Sequence, residues 1–312
     1  MPIYTDEKAA WICAAAGLML HAAFLAGSLS RQKAKIVKNA WALLLPAALG
    51  LLLARGGFAL LQAGEELASF RWCYTTGLWG LMLGTALAAR LSGAGAAKTL
   101  DGTVLALGLC MGAARLAQRW LGETGIGPLL EEESFLAGSP LAMINDWEEP
   151  VLATWLLEAA VCVIAGACAQ GLGRKWKAPG TAVCLGVCGM MIPQILLEQF
   201  RSGHYMRFMM ARMEQALFFL TALAAILFLC AGWRKRCGAS FPRVYGPALG
   251  FLPAAGVIVL VQFVLDGKVA EWPVALCWAL YGAAIAAMLV LAVFAAARLN
   301  RAAKEAQQHG NV

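Results

Sequence analysis

Nine stretches of this chain, at about 9–30, 39–61, 73–92, 101–121, 151–172, 180–200, 213–232, 245–265 and 274–297, stay mainly apolar for the ~20 residues a helix needs to cross a bilayer at ~1.5 Å per residue. Lipid offers no partner to backbone N–H and C=O groups, so each stretch must satisfy its own backbone as an α-helix. Together they use up nearly all of the 312 residues, and only 14% of the chain is charged, against about 25% in soluble domains. The expected fold class is therefore an all-α polytopic membrane protein with about nine transmembrane helices. Disordered, collagen-like and disulfide-scaffold classes are excluded by the same composition. The ten cysteines lie mostly inside apolar runs without paired metal-ligand spacing; Cys184 and Cys188, on one helical face, are packing residues.

The formal charge of +7 does not mark a nucleic-acid binder, because the basic residues fall in short clusters between apolar runs. Sixteen of them, from Arg31, Lys33, Lys35 and Lys38 to Arg298, Arg301 and Lys304, follow the odd-numbered spans, whereas six (Lys8, Arg71, Arg201, Arg207, Arg212, Lys268) lie in the alternate loops. The positive-inside bias then puts the N-terminus outside and the C-terminus in the cytoplasm. The first span carries Asp6, Glu7 and Lys8 before it, without a basic n-region or a small-residue cleavage site, and is expected to be retained. Residues 122–150 hold seven acidic residues and no Lys or Arg, which predicts a small extracytoplasmic head.

Ionisable groups inside a span cost ~2.5–3.5 kcal/mol each on insertion scales, so each one marks a functional-site hypothesis. They are Arg55 in the second span, Arg115 and Arg119 in the fourth, Glu158 in the fifth and Glu198 near the outer end of the sixth. Asp101 and Glu123 bracket the fourth span. Arg115, Gln118, Gly122 and Glu123 share one helical stripe, as do Gln194 and Glu198 one turn apart, with Pro193 beside them. Guanidinium groups fork a phosphate and keep their charge when desolvated, so these residues suit a phospholipid head group. Mutual pairing that merely locks the bundle is the other reading the residues leave open.

The fourth span and its exit, DGTVLALGLCMGAARLAQRWLGETGIG from Asp101, resemble the signature of the prolipoprotein diacylglyceryl transferases, written GRxGNFxNxE. Three further elements resemble that family in the same order. Arg55-Gly56-Gly57-Phe58 is similar to its GRIGY-like stretch, Thr75 to Gly80 to its HGGLIG stretch, and Gln194 to Arg201 to its RFxxEFxR stretch. The likeness covers about residues 9–232 and implies a seven-helix transferase-like core, with the last two helices and a basic cytoplasmic tail, 233–312, as an addition. The family histidine falls on Thr75, its signature asparagines on Gln118 and Leu121, its second arginine on Gln194, and an early tyrosine near Ile12.

The resemblance implies transfer of the diacylglyceryl group of phosphatidylglycerol to the thiol of a lipobox cysteine, in the bacterial cytoplasmic membrane. Prolipoprotein signal peptides are the implied partners, and no metal or cofactor is required. Arg115, Glu123 and Glu198 are the expected catalytic residues. Arg55, Thr75, Asp101, Gln118, Gly122, Gln194, Arg201 and His204 are the expected substrate-binding set, and His204 also has the unperturbed pKa, about 6.5, that suits a base. The alternative is a catalytically inactive relative that binds phospholipid or lipoprotein signal peptides. His21 and His309 read as packing and tail residues.

Overall fold

The computed structural model describes residues 5–35, 37–61, 72–121, 126–131, 133–145, 147–176, 178–201, 207–208, 211–237, 240–269 and 271–309. The helices are α1 (Glu7–Arg31), α2 (Leu45–Leu61, after a 3-10 stretch Val37–Leu44), α3 (Tyr74–Leu91), α4 (Ala96–Gly102), α5 (Val104–Leu116), α6 (Thr154–Gly173), α7 (Thr181–Leu197), α8 (Met213–Cys237), α9 (Phe241–Leu249), α10 (Phe251–Leu265) and α11 (Val274–His309). Two short hairpins, β1 (Ala142–Ile144) with β2 (Pro150–Leu152) and β3 (Arg207–Phe208) with β4 (Ala211–Arg212), are both antiparallel.

Among the described residues seven helices are long and apolar enough to cross a membrane, or eight if α4 and α5, bent by 58° at Thr103, count as one broken span. This is consistent with an all-α polytopic membrane protein. All nine apolar stretches are helical. The third, α3, is eighteen residues long but stays outside the seven, because Thr75, Thr76, Thr85 and Arg90 lower its hydropathy. The break in the fourth has a local cause: the Thr103 hydroxyl donates to the carbonyls of Thr99 and Leu100 at 3.1 and 3.2 Å, drawing backbone groups away from the regular ladder.

Helix ends follow the charge pattern. Asp6 caps α1 by accepting from the N–H groups of Lys8 and Ala9 at 3.0 and 3.1 Å. Arg31, Arg90 and the run Arg234, Lys235, Arg236 sit in last turns, where the negative end of the helix dipole favours them.

The helices pack at backbone contact where glycine allows it. A Cβ on Gly84 of α3 would lie 2.5 Å from the Pro46 Cα of α2, and one on Gly108 of α5 would lie 2.5 Å from the Cys162 carbonyl of α6. One apolar core then runs from α3 to α11, taking in Leu78, Met190, Phe218, Ile226, Tyr281 and Met288. It crosses position 232 without interruption, so the last helices pack on the same core as the rest. Cys184 and Cys188 are buried free thiols within it. His21 is buried too, its Nε2 donating at 2.9 Å to a Thr85 hydroxyl that itself donates to Leu81 O.

The described part of the acidic segment, 126–131, 133–145 and 147–150, carries strand β1 and the start of β2. Asn145 Oδ1 accepts from the N–H groups of Trp147 and Glu149 at 3.0 and 2.8 Å to close the turn. Ile126, Met143, Val151 and Trp155 make a separate apolar cluster beneath it.

Gly108→Val, which forces a side chain into the α6 backbone, should lower stability by about 1–3 kcal/mol. Gly171→Ala on the exposed face of α6, where nothing lies within 4 Å of a new Cβ, should change it by less than about 1 kcal/mol. Thermal unfolding of the two purified variants in detergent checks the contrast.

Candidate functional site

Four helix ends converge where α1 begins, since the Asp6 N–H donates to Trp120 O at 2.9 Å. There α5 ends at Arg115, α6 is one turn past its start at Glu158, α7 tightens into the 3-10 turn Glu198–Phe200 ahead of Arg201, and α8 opens with Glu214. Six charged side chains meet in this space.

Arg115 Nη1 lies 3.3 Å from Glu158 Oε2 and its Nη2 3.8 Å from Glu214 Oε2. Arg201 reaches the same two carboxylates, Nε at 3.8 Å from Glu158 Oε1 and Nη1 at 3.9 Å from Glu214 Oε2. Its Nη1 also donates to Glu198 Oε2 at 3.2 Å. Arg212 extends the chain, Nη1 at 3.5 Å from Glu198 Oε1 and Nη2 donating to Arg201 O at 2.6 Å. Arg115, Glu158, Arg201 and Glu214 thus close a ring of alternating sign, with Glu198 and Arg212 as an arm.

Burial makes the arrangement energetically demanding. The Arg115, Glu158, Glu198 and Arg201 side chains are at most 2% exposed, and desolvating an ion costs several kcal/mol unless pairing and hydrogen bonds compensate. Pairing here is loose. Both Glu158 carboxylate oxygens, Glu198 Oε1, Glu214 Oε2 and Arg115 Nη1 are buried without a hydrogen bond, so the ring has unused capacity for both donors and acceptors.

An apolar groove between α1, α2, α3 and α5, lined among others by Trp11, Leu18, Leu51, Leu81 and Met111, reaches Tyr74, Ala114 and Ala117 beside Arg115. Trp11 and Trp72 meet edge-to-face across it at 5.1 Å. Tyr74 belongs to its wall, and the Arg115 guanidinium stands 4.0 Å over that tyrosine ring. Only one aromatic ring therefore separates an apolar slot from a buried cation.

The structure brings Arg115, Glu198 and Arg201 together as site residues. Gln194 lies beside them, its Nε2 donating to the Glu158 carbonyl at 3.1 Å, and Gln118 is buried in the 3-10 turn Ala117–Trp120. Thr75 is fully buried next to Tyr74. Arg55 is half-buried on α2, next to Ala54 of the groove. Gly122, Glu123 and His204 lie outside the described residues.

Asp101 has a different place. It accepts from the Gly180 and Val183 N–H groups at 2.6 and 2.9 Å and so caps α7 at the opposite end of the bundle. The α5 helix stands between it and Arg115, so it cannot take part in the ring. Glu158 is recognisable in the sequence as an intramembrane charge but is not singled out by any motif. Tyr74, Arg212 and Glu214 carry no motif either; the available signal is that alternating spans bring the start of the seventh to the same end as Arg115 and Glu198. Among the described residues no group of three or more His, Cys, Asp or Glu side chains is placed to hold a metal.

Comparison of the chain with models of protein families, with curated proteins and with solved structures gives no match.

Arg115→Ala should cost about 3–5 kcal/mol of stability, because it strands buried carboxylates, whereas Arg115→Met with Glu158→Met should cost less than the single change. Thermal unfolding in detergent reads both. Asp101→Ala, which removes a helix cap, should cost about 0.5–2 kcal/mol and leave the binding of anionic phospholipid, measured on vesicles or nanodiscs, unchanged.

Proposed function

We propose that this protein is a divergent prolipoprotein diacylglyceryl transferase of the bacterial cytoplasmic membrane, crossing it nine times with the N-terminus outside. The observation that carries the reading is the junction of the apolar groove with the Arg115–Arg201 ring, an arrangement suited to a lipid whose acyl chain and phosphate must be held side by side. The ordered motif resemblance supports the same substrate.

Glu214 Oε2 lies 3.8 Å from Arg115 and 3.9 Å from Arg201, so the space between these guanidiniums already accommodates an anionic oxygen. A phosphate of phosphatidylglycerol takes that position, with both arginines as a clamp. Glu214, the most exposed of the three carboxylates at 15%, is the one able to swing aside. Glu198 holds Arg201 and Arg212 in place, and Gln118 offers its buried amide to the glycerol head group.

In the reaction the thiol sulfur of the lipobox cysteine attacks the glyceryl carbon attached to phosphate. A C–S bond forms, the C–O bond to phosphate breaks, and glycerol phosphate leaves with the electron pair. The thiol proton passes to a carboxylate of the ring and from there to the departing phosphate. Charge developing on that phosphate is what the arginines stabilise. No metal or cofactor takes part. Glu123 and Gly122 belong to the same proposal through the signature motif alone, and His204 through its place just after the sixth span and its unperturbed pKa of about 6.5.

A second reading has its own support: each arginine of the ring is matched by carboxylates, and Thr75 stands where the family histidine falls. Both features fit a relative that binds phospholipid or signal peptides without turning them over.

The test uses purified protein in detergent with phosphatidylglycerol and a synthetic lipobox peptide, following the thioether product and glycerol phosphate. Turnover that falls by about 10²-fold or more in Arg115→Ala is the expected result. Phospholipid binding that depends on Arg115, without turnover, selects the silent relative; absence of both overturns the proposal. Glu214→Gln, which removes a competing anion from the clamp, should lower KM for phosphatidylglycerol about three- to tenfold.

A further inference from the structure

The carbonyl of Ile195, near the end of α7, receives two side-chain hydrogen bonds. Gln215 Nε2 of α8 donates to it at 3.0 Å and the Tyr281 hydroxyl of α11 at 3.1 Å. Such a carbonyl lies among the last ones of a helix, which lack a regular intrahelical partner. Gln262 of α10 ties the two donors together: its Nε2 donates to Gln215 Oε1 at 3.2 Å and to the Tyr281 oxygen at 3.3 Å. Gln215 Oε1 also accepts the Arg212 backbone N–H at 3.1 Å. Gln215, Gln262 and Tyr281 are all at most 3% exposed, and Gln215 Nε2 also donates to Gln199 Oε1 at 3.4 Å.

A second contact from the same helix holds the end of this segment. Trp278 of α11 stacks on Phe200, rings 5.0 Å apart and inclined by 22°. Phe200 closes the 3-10 turn that starts at Glu198, and Arg201 follows it. The turn bearing two of the six charged groups is therefore held by a hydrogen bond three residues before it and an aromatic stack at its end, both from α11. A third charged group, Arg212, is held through Gln215.

We propose that the C-terminal helices α10 and α11 are a positioning element for the charged ring, with Tyr281, Gln262 and Trp278 as its positioning residues. They set where the Glu198 carboxylate and the Arg201 and Arg212 guanidiniums stand relative to Arg115. None of the three reaches the groove or the ring itself. Buried polar groups joined in one hydrogen-bonded network favour few arrangements, which is what fixing six charges of alternating sign requires. The effect on catalysis rests on the transferase reading; the geometric role does not.

The experiment uses the full chain in detergent with Tyr281→Phe, Gln262→Leu and their combination, and Val290→Ala on the exposed face of α11 as a control. Displacing the Glu198–Arg201 turn should lower kcat for diacylglyceryl transfer about ten- to a hundredfold in the combined variant. KM for phosphatidylglycerol should stay within about twofold, and Val290→Ala should match the parent protein.

A double-mutant cycle on apparent Tm, which needs no activity, then separates the two ideas. Glu198→Gln is made in the parent and in the Tyr281→Phe, Gln262→Leu background, with Arg212→Lys in its place if that variant does not fold. A Tm shift at least halved in the second background is the expected result. Additive shifts overturn the positioning role whatever the activity shows. A halved shift in a parent protein that turns nothing over supports the positioning role and rejects the transferase reading.

Discussion

Six charges at one end of an apolar bundle, five of them buried and Glu214 half-buried, are the constraint around which this molecule is arranged. Removing an ion from water costs several kcal/mol, so no one of Arg115, Glu158, Glu198 and Arg201 is tolerable alone at its depth. Each comes from a different helix or helix end, α5, α6, α7 and the segment that follows α7, and Glu214 and Arg212 add α8 and the strand before it. The ring is therefore also a register pin. Sliding any of these helices by one turn would leave an uncompensated charge among hydrocarbon, a larger penalty than the loss of ordinary apolar contacts.

The rest of the architecture makes that meeting possible. Helices α5 and α6 approach to backbone contact through Gly108 and Gly166, which brings Arg115 and Glu158 within salt-bridge distance one turn from the helix ends. Helix α4 crosses the opposite end, where Asp101 caps α7 and so fixes the start of the helix whose end carries Glu198. Loose pairing within the ring and the apolar groove behind Tyr74 then combine in one place the two things a phospholipid presents, a chain and an anion.

Much of this was legible in the sequence. Apolar run length predicts the helical class, because a backbone in lipid has no alternative to satisfying itself, and among the described residues seven or eight helices are long and apolar enough to cross a membrane. Arg115 and Glu198 stand out in the sequence as charges within apolar runs and Arg201 as the end of a motif, and the structure brings the three together. Asp101 shows the limit: it lies in α4, set off from α5 by the break at Thr103, and its carboxylate meets the N–H groups at the start of α7, far from Arg115. Tyr74, Arg212 and Glu214 carry no local mark, since aromatic residues and charges at span ends are ordinary interfacial composition. The thread through Gln215, Gln262 and Tyr281 joins residues up to 86 positions apart, and no spacing rule reaches that far.

By itself, then, the sequence determined the helical class of the chain, the apolar character of its spans and the chemical types those spans carry. These follow from hydrophobicity and backbone hydrogen bonding, which act along the chain. Which carboxylate faces which guanidinium, that Arg115 stacks on a tyrosine of the groove wall, and that α11 touches the segment around Glu198 were decided only in the tertiary structure. Those relations depend on distances of a few ångströms between helices, and interhelical distance is set by side-chain packing across the bundle, not by the order of residues within any one of its helices.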